Sequence, residues 1–128
     1  MMISKVTATV LIVEDLEKCI AFYRDMVGLE VTFRDDVSMG FRLIGQDFVL
    51  LSVPAAMAQI SEEAVGSGTA TVHRAFLCAE AESADAVYEA LTAKGVKFIK
   101  PPKDQAWGRR TAYFADPEGN LWEIYQSI

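Results

Sequence analysis

The sequence predicts an α+β fold: two βαβββ modules whose strands form a curved mixed sheet around a cavity, with the helices outside. Three observations carry this expectation. A β-branched strand followed by a helix that stops at a glycine occurs twice, ending first at Gly28 and again at Gly95. Each glycine leads into a strand, Gly28-Leu29-Glu30-Val31 in the first half and Gly95-Val96-Lys97-Phe98 in the second. The segment from Asp47 to Val53 is then answered by that from Asn120 to Gln126. The length of 128 residues suits one domain, with module one at 4–53, a connector at 54–71 and module two at 72–128.

Val6 to Val13 opens the chain as a β-branched strand. Asp15 stands where a carboxylate caps a helix, and Leu16, Ile20, Phe22 and Tyr23 follow at helical spacing until Gly28. Leu29 to Arg34, Met39 to Ile44 and Phe48 to Val53 are the next strands. The connector combines Ala55, Ala56 and Met57 with Gly66 and Gly68, which suits a short helix and a flexible stretch, either a lid or a plain link. Val72 to Cys78 resumes as strand, and Ser83 to Lys94 is a helix with Ala84, Val87 and Leu91 on one stripe. Val96 to Lys100, Arg109 to Ala115 and Leu121 to Gln126 complete the second module. Asp116-Pro117-Glu118-Gly119-Asn120 turns the last two into a closing hairpin.

Composition narrows the function. Hydrophobic residues make up 52% and charged residues 23%, the balance of a folded globular chain, and no apolar run approaches the ~20 residues of a membrane span. The start MMISKVTATVLIVEDL lacks a secretory cleavage site, so a cytoplasmic location is expected. A net charge of −6 without clustered Lys and Arg disfavours nucleic acid. Cys19 and Cys78 read as small buried hydrophobes rather than a disulfide framework or a zinc pair. No Ser-His-Asp set, phosphate loop or CxxC motif is visible. A small molecule or another protein chain remains as the expected partner.

Glu123 is the residue that most needs explaining. It lies between Trp122 and Ile124 inside a strand, where a carboxylate requires a partner, a metal or an open cavity. His73, the sole histidine, is either its hydrogen-bonded core partner or part of a site. Strand parity groups His73, Ala75 and Leu77, then Ala8, Val10 and Ile12, then Leu121, Glu123 and Tyr125. A cavity lined by these faces is apolar with one polar corner, and fits a hydrophobic or aromatic ligand carrying one hydrogen-bonding or basic group. Read from the residues alone, Trp107 caps the sheet and Arg109 or Arg110 pairs with a surface acid. Phe41 and Met39 either line the same hollow or belong to the core.

The segments VEDLEKCIAFYRDMVGLEV at 13–31 and WGRRTAYFADPEGNLWE at 107–123 resemble the vicinal oxygen chelate superfamily. That superfamily includes glyoxalase I, bleomycin-resistance proteins, fosfomycin-resistance enzymes and extradiol dioxygenases. The resemblance covers nearly the whole chain and implies its fold and a homodimer. In metal-dependent members the ligands are a His seven residues before the acidic helix cap and a Glu in the closing strand of each module. Here His73 precedes Glu80 by seven residues and Glu123 follows the DPEGN turn. Ala8 stands seven before Asp15, however, and Leu50 or Leu51 takes the place of the other Glu. Exchanging modules between subunits leaves each cavity with the same two ligands, one fewer than catalytic sites ordinarily use.

The resemblance therefore implies first a metal-free binding protein of the bleomycin-resistance kind, with no cofactor. Its alternative is a lyase, isomerase or dioxygenase in which His73, Glu123 and waters hold a divalent metal. A metal-free enzyme with His73 or Glu123 as general base, and a scaffold with a relic cavity, complete the range. Similarity to the fosfomycin-resistance branch implies that Arg109, Thr111 and Tyr113 turn toward the cavity, with Trp107 then placed to stack on a planar ligand and Arg109 to meet an anionic group.

Overall fold

The computed structural model describes residues 7–65 and 76–128. The chain divides into two compact units, Met1–Thr69 and Ala70–Ile128.

In the first unit β1 (Ala8–Val13) leads through Asp15 into α1 (Leu16–Ile20). The Asp15 carboxylate accepts the Lys18 amide at 3.0 Å, satisfying one of the donors that a helix start leaves open. The helix widens into π-helical turns over Ala21–Val27 and stops at Gly28, whose φ of 83° a side chain would resist. β2 (Val31–Arg34), β3 (Ser38–Leu43) and β4 (Gln46–Ser52) follow, then α2 (Val53–Gln59) and α3 (Glu62–Val65). The sheet order is β1-β4-β3-β2, with β1 parallel to β4 and the other pairs antiparallel. Tyr23 packs edge-on against Phe48 at 5.1 Å and tilted against Phe41 at 6.2 Å. These rings, with Cys19, Ile20, Met39 and Leu50, form the core between helix and sheet. Phe41 and Met39, expected on the ligand side as one option, lie in this core, Phe41 only 1% exposed.

The second unit repeats the topology. β5 (Phe76–Glu80), α4 (Ala84–Ala93), β6 (Phe98–Asp104), β7 (Arg109–Ala115) and β8 (Leu121–Ser127) form a sheet in the order β5-β8-β7-β6, again with one parallel pair at its start. Ser83 is the helix cap, its hydroxyl accepting the Ala86 amide at 3.1 Å. Glu80 ends β5 and caps nothing, which corrects its reading as the acidic cap. The β7–β8 turn is held by Asp116, whose carboxylate accepts the Glu118 and Asn120 amides at 2.9 and 2.8 Å and the Asn120 side chain at 2.8 Å. α4 covers one face of the sheet: Tyr88 meets Phe98 at 4.8 Å, Asp85 pairs with Arg110, and the Ala84 amide donates to Gln126. Among the described residues no helix is long and apolar enough to cross a membrane.

Candidate functional site

Strand pairing assigns the registered residues of the second sheet to its two faces. Phe98, Ala112, Phe114, Trp122 and Ile124 lie on the α4 side, where Phe114 and Trp122 stack at 6.1 Å. The opposite face is built in rungs. Cys78, Glu123, Tyr113 and Lys100 stand in register across all four strands, and Glu80, Tyr125, Thr111 and Lys103 form the next rung. Arg109 starts β7 opposite Ser127.

This face is polar at its centre. Glu123 is 6% exposed, and its Oε1 accepts the Tyr113 hydroxyl at 2.5 Å. A short bond from a phenol to a carboxylate is the strong kind, and it answers the question that a carboxylate between Trp122 and Ile124 poses. Burial first, and the Glu123 hydrogen bond second, hold the Tyr113 hydroxyl above the usual phenol range. Desolvation and the same carboxylate likewise push the Cys78 thiol up. Thr111 is buried and accepts from the Gln105 side chain at 3.0 Å. The Arg109 guanidinium lies over the Tyr125 ring, 4.0 Å from its centroid, within the range of a cation–π contact.

Arg109, Thr111, Tyr113, Glu123 and Tyr125 are thus brought together by the sequence-predicted hairpin. Trp107 is not on the rungs; it sits in the β6–β7 turn and is 64% exposed. His73 lies outside the described residues. Cys78 enters the site unforeseen. Expected as a buried hydrophobe, it is exposed and directly beside Glu123. Leu77, grouped by parity with the ligand side, instead pairs with Trp122 on the α4 side. The phase of β5 was legible from Ser83: seven residues before the first cap is Ala8, seven before the second is Phe76, and these positions pair with Asp47 and Leu121 respectively.

The same registers align the two sheets. Phe41 pairs with Phe48 as Phe114 pairs with Trp122, each on the helix side, so Glu123 corresponds to Val49 and Tyr125 to Leu51. Leu50, considered as the counterpart of Glu123, is fully buried on the helix side. Of the positions expected to hold a metal, Ala8 and Val49 carry no donor side chain and Glu123 carries a carboxylate. Among the described residues no group of three His, Cys, Asp or Glu side chains converges.

Comparison with known proteins bears on the whole chain. The family model described as Glyoxalase/Bleomycin resistance protein/Dioxygenase superfamily matches residues 5–124. The uncharacterized protein YraH of Bacillus subtilis (strain 168) is 34% identical over 122 residues, spanning 92% of this chain and 94% of that protein. A crystal structure of a glyoxalase/bleomycin resistance protein/dioxygenase from Nocardioides superposes with a TM-score of 0.85 at 25% identity, covering 98% of this chain and 84% of that one. A lactoylglutathione lyase from Agrobacterium tumefaciens shares the fold with a TM-score of 0.74 at 22% identity, covering 96% and 93%.

Proposed function

The chain belongs to the Glyoxalase/Bleomycin resistance protein/Dioxygenase superfamily, and from that premise we propose that it binds a small amphipathic or aromatic molecule on the second sheet's face opposite α4, without a complete metal site. The observation that carries this reading is the Tyr113–Glu123 pair, a buried carboxylate whose hydrogen-bonding need is met by a phenol on the neighbouring strand. Around it stand the half-buried rings of Tyr113 and Tyr125, a guanidinium and an exposed thiol. Flat aromatic surface beside a few fixed polar groups is the composition of a small-molecule site. Glu123 supplies an acceptor for a hydroxyl or amine of the ligand, because a carboxylate keeps acceptor capacity beyond one bond.

A panel of planar and cationic aromatic compounds, screened by thermal melting with and without chelator, tests the proposal. At least one compound is expected to raise the melting temperature equally in both buffers, and Glu123→Leu to abolish the rise. Elemental analysis of protein purified without chelator tests the alternative, and no stoichiometric metal is expected. Stoichiometric metal, lost in Glu123→Gln and in His73→Ala, would replace this reading by a metal-dependent lyase, isomerase or dioxygenase.

A further inference from the structure

The same face carries opposite charges that do not neutralise one another, and the geometry points to a ligand class: a small dipolar molecule with an anionic head and, about one rung away, a hydroxyl or amine, joined by an apolar or aromatic body. This inference rests on the binding proposed above and specifies what is bound.

The cationic end is Arg109. Its neighbour Arg110, on the α4 side, is committed to Asp85 at 3.0 Å and Asp104 at 2.9 Å. Arg109 makes no ion pair among the described residues; its guanidinium carbon lies 4.0 Å from the centroid of the Tyr125 ring. A cation–π contact does not use up the N–H donors of a guanidinium, which can still bind a carboxylate or phosphate by two parallel hydrogen bonds. Lys103, on the rung of Tyr125, and Lys100, on that of Glu123, stand on the β6 edge of the same face, and neither has an ion-pair partner among the described residues. The acceptor end is Glu123, which receives the Tyr113 hydroxyl and no cation among the described residues.

Tyr125 and Glu123 are two residues apart on β8, a separation of about 7 Å along a strand. A purely anionic ligand would meet Glu123 as a like charge, and a purely cationic one would meet Arg109. A dipolar ligand of matching length satisfies both, with its body against the Tyr113 and Tyr125 rings.

Calorimetric titration of the full chain with 4-hydroxyphenylacetate, its amide and phenylacetate tests this. The hydroxy acid carries its two polar ends about one rung apart. It is expected to bind about tenfold tighter than either analogue, the worth of one charge-assisted hydrogen bond. Arg109→Met, at a half-buried position, should bring the ratio of acid to amide affinity down to about one, read in a variant whose melting curve shows that it folds. Glu123→Gln should reduce the preference for the hydroxylated acid less than Glu123→Leu does. Equal binding of acid and amide in the unaltered protein, or an Arg109→Met variant that keeps the preference, would overturn the dipolar class but leave small-molecule binding standing. Failure of all three compounds overturns it too; the proposed function falls with it only if the wider aromatic panel also gives no stabilisation.

Discussion

Replacing Tyr113 by Phe removes one oxygen and leaves the ring in place. The lost bond, 2.5 Å from a phenol to a carboxylate that is 6% exposed, belongs to the charge-assisted class, so the cost is about 2 kcal/mol. For a chain of this size each kcal/mol lowers the melting temperature by roughly 3–5 °C, which places the variant about 6–10 °C below the parent. The cause is the unmatched carboxylate rather than the missing hydroxyl, and that distinction can be measured. Glu123→Gln keeps an acceptor for Tyr113 and is expected to lose less. The pair Tyr113→Phe with Glu123→Leu removes both polar groups together, and should recover to within about 1 kcal/mol of the parent, because replacing both partners of a buried bond by apolar groups is close to neutral. Denaturant melts of Tyr113→Phe, Glu123→Leu, the double variant and the parent, fitted with a common slope, complete the cycle. A Tyr113→Phe loss below about 0.5 kcal/mol, or single losses that simply add, would refute the view that the phenol satisfies the carboxylate.

Other expectations follow from the same geometry. Iodoacetamide should label exposed Cys78 and spare buried Cys19; Glu123→Gln should speed the labelling at fixed pH, since the carboxylate holds the thiol up, and an unchanged or slower rate by mass spectrometry contradicts this. Because the Tyr113 hydroxyl is raised above its ordinary value near ~10, its contribution to stability is complete below that pH and is lost as pH rises through the folded value. The parent should therefore lose stability more steeply than Tyr113→Phe in melts taken above pH ~10, and parallel curves would count against the raised hydroxyl. Phe41→Ala should cost about 3–5 kcal/mol in denaturant melts, as loss of a core ring does, whereas Phe41→Leu should fold and leave ligand binding unaltered.

Much of the fold was legible because its punctuation is chemical. Asp15, Gly28, Gly95 and the Asp116 turn act through local bonds and backbone angles, so their positions are written in residue type. β7 runs from Arg109 to Ala115 as its alternation indicated, and the grouping of Arg109, Thr111, Tyr113, Glu123 and Tyr125 on one face follows from it. What misled was phase. Apolar residues fill both sides of β4, so alternation could not tell Val49 from Leu50 or Leu51, and only pairing with β3 separates them. At β5 an acidic residue near a helix start drew attention to Glu80, although Ser83 satisfies the helix amides. The three-residue difference put Cys78, not Leu77, beside Glu123. The strand expected from Val96 to Lys100 runs on to Asp104 as β6, through Pro101 and Pro102, because an edge strand tolerates residues that cannot donate on its open side. Widening of α1 into π-helical turns had no signal beyond the adjacent aromatics Phe22 and Tyr23, which meet edge to face at 5.0 Å.

Chemical-shift mapping of isotope-labelled protein during titration with 4-hydroxyphenylacetate tests the location of the site most directly. The largest shifts are expected at Cys78, Arg109, Thr111, Tyr113, Glu123 and Tyr125, with the α4-side residues Ala112, Phe114 and Ile124 changing less. Shifts centred on α4, or on the core around Tyr23, Phe41 and Phe48, would contradict it.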